Sequence, residues 1–254
     1  MNTAAQTEQD QHFKYLSTAY GRVGDQTWSA ADFTEENLAV SRDLFTPESL
    51  QRRNPQPKEL EVYALLSGLA FPEEFSCELH SVQMRISDLL GERLHYWVAP
   101  QNLGIEYCVF KWPEEPFQGE RLDQIRKVLD SIRQPCFQLS IGGVQINPDG
   151  CVVARGFDQG AVLFRIREQL KADIPSLPAR QSGWAHIPLG RILEPLGRKR
   201  FSELARLIKS LSEWPIAKTE IRVMKLVHET RWYMENKTIL AHYPLLCSEG
   251  MPKS

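Results

Sequence analysis

The sequence predicts an α+β fold with two similar halves, and three observations indicate it. The segment from Gly104 to Val109 recurs faintly about 80 residues later as Trp184 to Leu189. From Arg93 onward, β-branched and aromatic residues alternate with polar ones between Pro and Gly, which is typical of strands. Apolar residues at helical spacing lie between these strand candidates. We therefore expect two strand-helix-strand units that face each other across a shared site.

Composition and charge limit the class of protein. The chain has 254 residues, of which 42% are hydrophobic and 24% charged, so disorder and membrane residence are not indicated for its bulk. A net charge of -2 argues against a polyanion-binding surface over the whole protein and leaves room for a local basic groove. No apolar stretch is long enough to cross a bilayer, and residues 1–10 are polar and unlike a signal peptide. We expect a cytoplasmic protein without a membrane partner.

The cysteines and histidines do not predict a metal site. The five cysteines are odd in number, widely spaced and without a CxxC pair, so we expect reduced, buried thiols. No set of Cys and His residues has the close spacing of a structural zinc site. No phosphate-loop, serine-hydrolase or zinc-protease motif occurs. We therefore expect neither a metal nor a cofactor.

The first 90 residues are predicted to form a helical N-terminal extension. Helix starts are indicated at Ser29, Thr34 and Thr46, and the apolar positions of residues 60–67 recur at helical spacing. A longer helix is predicted over 75–90, where most apolar residues lie on one side. This extension could cover one face of the main domain, which we place at residues 91–247. Residues 248–254 are expected to be a loose tail.

Strands and helices are predicted to alternate through the main domain. Asn147-Pro148-Asp149-Gly150 is a strong turn signal and predicts a hairpin. The predicted strands are 94–99, 105–112, 137–146, 151–156, 183–189, 216–229 and 231–244. The predicted helices are 119–133, 159–172 and 200–211.

The repeat predicts which side chains meet. Residues two apart on a strand point to the same face, so Glu106 should project with Cys108 and His186 with Pro188. If the two halves are related by a pseudo-twofold axis, Glu106 and His186 approach each other from opposite sides of one cleft. This arrangement suits acid and base chemistry on a small substrate.

At these residues the chain resembles the two-histidine (2H) phosphoesterases, which include RNA 2',3'-cyclic phosphodiesterases and the so-called 2'-5' RNA ligases. The resemblance spans residues 94–246 and is strongest at 184–193 and 240–245. The family carries a duplicated His-x-Thr/Ser-x motif, in which the histidines transfer protons and the hydroxyls hold the phosphate, without a metal. On this alignment His186 takes the place of the second histidine and Pro188 that of its hydroxyl residue. Glu106 and Cys108 stand at the first motif's histidine and hydroxyl positions.

The resemblance implies a two-lobed fold of antiparallel sheets with helices outside, and it leaves three functions open. The first is a divergent phosphoesterase for a nucleotide or RNA phosphodiester, for instance a 2',3'-cyclic phosphate, with His186 and Glu106 as acid and base. Arg191 would then help to bind phosphate, and His95 could replace the lost first histidine, although His95 also fits a structural role. The second is an inactive member that binds a nucleotide, an RNA end or a protein partner without turnover. The third is a structural or interaction module whose cleft the extension fills.

Overall fold

The structure, a computed structural model, describes residues 3–117, 119–158, 160–212 and 215–247, with side chains from residue 11 onward. The predicted tail at 248–254 lies outside these residues. Helices are α1 (Thr3–Trp28), α2 (Glu35–Arg42), α3 (Pro47–Gln51), α4 (Glu73–Leu90), α5 (Gly119–Ser131), α6 (Val162–Asp173) and α7 (Arg198–Leu211). Strands are β1 (Glu59–Gly68), β2 (His95–Trp97), β3 (Gly104–Lys111), β4 (Phe137–Ile146), β5 (Cys151–Asp158), β6 (His186–Ile192), β7 (Ala217–Ile221), β8 (Val223–Arg231) and β9 (Asn236–Pro244).

Two antiparallel sheets form the core of the fold, as the α+β prediction requires. The four-stranded sheet has the order β3-β1-β8-β9, and the five-stranded sheet has the order β2-β6-β5-β4-β7. The two strands of the sequence repeat, β3 and β6, belong to different sheets and contact each other. Each lobe therefore contributes one copy of the repeat to their common boundary.

Residues 60–67 form strand β1, so the helical prediction for this segment is wrong. β1 lies inside the four-stranded sheet and pairs with both β3 and β8. Leu65 and Leu66 point to opposite faces of the sheet, and both are buried. The strand therefore lacks the alternation of apolar and polar residues by which strands are recognised. The four-stranded lobe thus begins at Glu59, well before the boundary predicted at residue 90.

The later elements agree with the sequence prediction in type and order. The hairpin turn forms where expected: Asn147 donates to the carbonyl of Cys151, and Gly150 has a φ of 83°. The turn predicted at Asn236-Lys237 lies slightly earlier, at Trp232–Met234, because Tyr233 and Met234 adopt positive φ values there.

The residues before β1, which we call the leader (residues 3–58), pack on the five-stranded sheet. The Tyr20 hydroxyl donates to the Gly156 carbonyl over 3.2 Å, and the Thr27 hydroxyl donates to the Ile146 carbonyl over 2.8 Å. Helix α2 follows along β6, where Arg42 Nε donates to the Leu193 carbonyl over 2.6 Å. No helix of the described residues is long and apolar enough to cross a membrane.

Two of the five cysteines form a disulfide, which corrects the prediction that all of them are reduced. Cys136, just before β4, is bonded to Cys247, 111 residues later. The neighbouring residues Pro135 and Leu246 form a parallel bridge that brings the two cysteines together. Sequence spacing could not show this pair, because the contact depends on where β9 ends relative to β4.

Candidate functional site

Strands β3 and β6 place the predicted catalytic residues near the boundary between the sheets. β3 begins at Gly104 and β6 begins at His186, and both strands start with the same alternation of half-buried and buried residues. Matching the strand starts pairs Gly104 with His186 and Glu106 with Pro188. This register lies two residues away from the predicted one, and the burial alternation is compatible with both. A two-residue shift keeps every side chain on its face, so a faint repeat cannot distinguish the two registers.

Glu106 and Cys108 do not share a face, so that prediction is wrong. On β1, Leu66 pairs with Glu106 whereas Leu65 pairs with Cys108, because β3 contains a bulge between them. Cross-strand partners lie on the same side of a sheet, and consecutive residues of β1 point to opposite sides. Cys108 is 3% exposed in the main core, where burial raises its pKa to about 12. It is not available to a substrate.

Arg167 joins the two strands and was missed by the sequence analysis. Its Nη2 donates to the carbonyls of Glu106, over 2.5 Å, and Trp184, over 2.9 Å, while Nε donates to Tyr107 over 3.1 Å. The side chain is 5% exposed, and Nη1 is buried without an acceptor. A buried arginine with an unused donor at the boundary of two lobes can hold an anionic group.

His186 is half-buried at the start of β6 and is neutral at ordinary pH. Burial is the main reason that its pKa is lowered to about 4, and the positive charge of Arg167 lowers it further. Its Nδ1 is buried without a hydrogen-bond partner. The ring meets Trp184 edge-on, with centroids 6.0 Å apart, and Trp184 in turn contacts Tyr20 of α1. An uncharged imidazole of this kind can accept a proton.

The pKa of Glu106 is shifted upward, whereas that of His186 is shifted downward. Burial raises the pKa of its carboxyl group, while Arg167 and Arg180 partly oppose the rise. The carboxylate accepts no hydrogen bond within the described part of the chain, and the side chain is half-buried. Glu106 also adds to the raised pKa of Glu229 on β8, which burial brings to about 7. A carboxyl group with a raised pKa can donate a proton nearer to neutral pH.

Arg191 and His95, predicted to bind substrate, are engaged in structural contacts instead. Arg191 forms an ion pair with Asp149 (Nη1 to Oδ2, 2.6 Å) and hydrogen bonds to the hydroxyls of Ser41 and Tyr233. His95 Nδ1 donates to the Arg93 carbonyl over 2.6 Å, and its Nε2 accepts from the Ser87 hydroxyl over 3.1 Å. Both ring nitrogens of His95 are therefore paired, and Arg191 uses Nε and Nη1 in its contacts.

Pro188 lies two residues after His186, on the same face of β6, and provides no side-chain donor. Its cross-strand partner is Val153, and Arg155 pairs with His186 in the same way. We call the face of the five-stranded sheet that carries Arg155, Phe157 and His186 the histidine face. Helix α1 covers part of it through Tyr20, whose ring lies 5.7 Å from that of Phe157. Within the described residues, no cluster of three His, Cys, Asp or Glu side chains could hold a metal ion.

Comparisons with known proteins support the two-lobed architecture. No family model and no curated protein matches the chain. Among solved structures, apo LigT of E. coli is similar with 15% identity and a TM-score of 0.52, over 74% of this chain and 99% of LigT. TT0787 of Thermus thermophilus matches at 17% identity and a TM-score of 0.51, over 73% of this chain and 97% of that one.

A third similar structure is ATU0111 of Agrobacterium tumefaciens str. C58, a conserved protein of unknown function, with 12% identity and a TM-score of 0.51 over 74% of this chain and 87% of that one. Another similar structure is described only as a phosphoesterase. The matched regions span nearly all of LigT and TT0787 but only about three quarters of this chain. The unmatched quarter of this chain is close in length to the leader. This chain therefore has the 2H phosphoesterase fold, as the sequence resemblance predicted.

Proposed function

We propose that this chain is a divergent phosphoesterase-like protein that binds a nucleotide or RNA phosphodiester, for instance a 2',3'-cyclic phosphate, at Glu106, Arg167 and His186. One observation carries the proposal: three polar groups near the β3–β6 boundary have no partner within the described residues. They are the Glu106 carboxylate, Arg167 Nη1 and His186 Nδ1. Buried polar groups are normally satisfied, so the two buried nitrogens of Arg167 and His186 indicate a ligand site, to which the half-buried Glu106 carboxylate adds an acidic group.

The opposed pKa shifts suit proton transfer at this site. His186, whose pKa is lowered to about 4, is neutral and can take a proton from an attacking water or hydroxyl. Glu106, whose pKa is raised by burial, can protonate a leaving oxygen. Arg167 would offset negative charge on the phosphoryl oxygens in place of the family's hydroxyl residues. Crystal structures of the similar LigT include complexes with phosphate and with 3'-AMP, which supports a phosphate-bearing ligand here.

A second function, binding without turnover, is favoured by the residues at the family's two hydroxyl positions. Cys108 is buried in the core, and Pro188 offers no side-chain donor. Charge stabilisation is usually the largest catalytic contribution, so its loss from both motifs would leave a binding protein.

Turnover and binding should be measured on the same protein preparations. We expect the wild type to hydrolyse a 2',3'-cyclic nucleotide slowly, and His186→Ala and Glu106→Gln to lose this activity. The matched controls are His80→Gln and Glu168→Gln, because both side chains are exposed. Binding of the cyclic nucleotide without hydrolysis would establish the second function. Absence of both binding and hydrolysis would overturn the proposal.

A further inference from the structure

A cavity of about 1340 Å³ lies between α1 and the five-stranded sheet. Neither His186 nor Glu106 lines it, so it is separate from the site described above. It reaches past the edge of the sheet to the first turn of α4. The part nearest His186 is lined by residues of α1, of the histidine face and of the adjoining strands: Phe13, Ser17, Ser140, Arg155, Phe157 and Lys218.

Arg155 links this cavity to His186. The two residues are cross-strand partners on β5 and β6, so their Cβ atoms are about 5 Å apart. The guanidinium lies across Gly142 and Gly143: Nη2 donates to the Gly142 carbonyl over 2.9 Å, and a Cβ at Gly143 would come within 2.2 Å of Nη2. Nε is buried without an acceptor. Burial lowers the pKa of Arg155, but an arginine remains charged at neutral pH.

Further donors surround Arg155 on the same face. Ser140 pairs with Phe157 on one side and with Lys218 on the other. The hydroxyls of Ser140 and Ser17 form no hydrogen bond with any described residue, so both are free to donate. This part of the cavity therefore offers two cationic groups and two hydroxyls, which is the chemistry that binds phosphate.

Three acidic residues also line the cavity. Glu74 and Glu78 come from the first turns of α4. Asp158 follows Phe157 directly, so it points to the opposite face of the sheet. Its Oδ2 accepts from the backbone N–H of Leu163, at the start of α6. No ion pair joins these carboxylates to Arg155 or Lys218 within the described residues, so both cations can bind an anion.

An aromatic surface adjoins the cationic end. Phe13 of α1 is 58% exposed, and its ring centroid lies 4.8 Å from that of Phe157 at an interplanar angle of 34°. An exposed ring of this kind can stack a nucleobase of any type.

We propose that this cavity binds the second nucleotide of an RNA end whose terminal phosphate lies at His186. The inference rests on the proposed function and specifies its ligand as an oligonucleotide. Arg155, Lys218 and the two serine hydroxyls hold the phosphate that joins the nucleotides, and Phe13 stacks the second base. The leader supplies Phe13 and Ser17, so this segment is part of the site.

The test compares the affinities of the full-length protein for a 3'-phosphorylated mononucleotide and a 3'-phosphorylated dinucleotide. We expect the dinucleotide to bind about tenfold more tightly, because one stacked base and one phosphate contact are added. Arg155→Gln and Phe13→Ala should remove this gain and leave mononucleotide affinity unchanged. The matched controls are Arg222→Gln and Tyr15→Ala, two exposed residues that do not line the cavity; Tyr15 lies on the same helix as Phe13.

The salt dependence of binding gives an independent readout. The slope of log affinity against log salt should be steeper for the dinucleotide by about 0.7, and Arg155→Gln should remove this difference. Phe13→Ala should leave the slope unchanged, and since Phe13 is exposed its replacement should not prevent folding. Equal affinity of the wild type for both ligands would overturn this inference alone. Failure to bind either ligand would overturn the proposed function, and this inference with it.

Discussion

Replacing Arg167 with Gln tests whether this residue holds the two lobes together. The guanidinium makes three hydrogen bonds to buried carbonyls, which belong to Glu106, Tyr107 and Trp184. Each charged hydrogen bond contributes about 1.5–3 kcal/mol, but desolvation of the cation offsets part of their sum. Each buried carbonyl left without its donor costs about 1–3 kcal/mol, and three carbonyls lose their donor here. We therefore expect Arg167→Gln to lower the free energy of unfolding by about 3–5 kcal/mol.

The free energy of unfolding should be measured by urea denaturation, and the pKa of His186 by NMR titration. The control is Arg165→Gln, on the same helix but exposed, for which we expect a loss within about 0.5 kcal/mol. Loss of the positive charge should raise the pKa of His186 from about 4, though not to 6.5, because burial is the larger cause of its shift. If Arg167→Gln is no less stable than Arg165→Gln and the pKa of His186 does not move, Arg167 does not have the role described here.

Three further predictions concern stability. The pKa of Glu229 is raised from 4.5 to about 7 on folding, so the stability contributed by the protonated group is fully present below pH 4.5 and is lost as pH rises through about 7; in urea denaturation, the wild type should lose on the order of 3 kcal/mol more than Glu229→Gln between pH 5 and 8, a difference that cancels the opposite effect of His186 because both proteins share it. The Cys136–Cys247 disulfide should leave three free thiols in the denatured, unreduced protein, and Cys136→Ser should lower stability by about 2–4 kcal/mol; five titratable thiols would refute the pairing. Gly156→Ala should destabilise by more than about 3 kcal/mol, because its Cβ would come 1.8 Å from a main-chain carbonyl oxygen, whereas Gly24→Ala, with nothing within 4 Å, should be neutral or slightly stabilising by thermal denaturation.

Most elements after residue 93 were predictable because each carries a local signal. The hairpin at 147–150 has turn residues of the required types, and α6 has an apolar stripe at helical spacing. Strand β1 was not predictable in this way. Consecutive residues from Ala64 to Ser67 are buried, so the strand lacks the usual alternation, and the spacing of its apolar residues also fits a helix.

The candidate site was only partly predictable. The repeat identified Glu106 and His186, but it did not reveal Arg167, Glu229 or Arg155. A signal for Arg167 exists, because it lies within the apolar stripe of α6, where a charged residue is uncommon unless it is paired. No comparable local signal marks Arg155, since its importance depends on its cross-strand partner and on the two glycines beneath it.

The sequence by itself determined the duplicated α+β architecture and the two strands on which the site is built, because strand and turn preferences are local. Only the tertiary structure decided which residues meet. A single bulge in β3 places Cys108 in the core and leaves Glu106 on the other face of its sheet. The long-range contacts of Arg167, Arg191 and the leader likewise depend on how the sheets and helices pack. These contacts, unlike strand preferences, are not encoded at any one position of the chain.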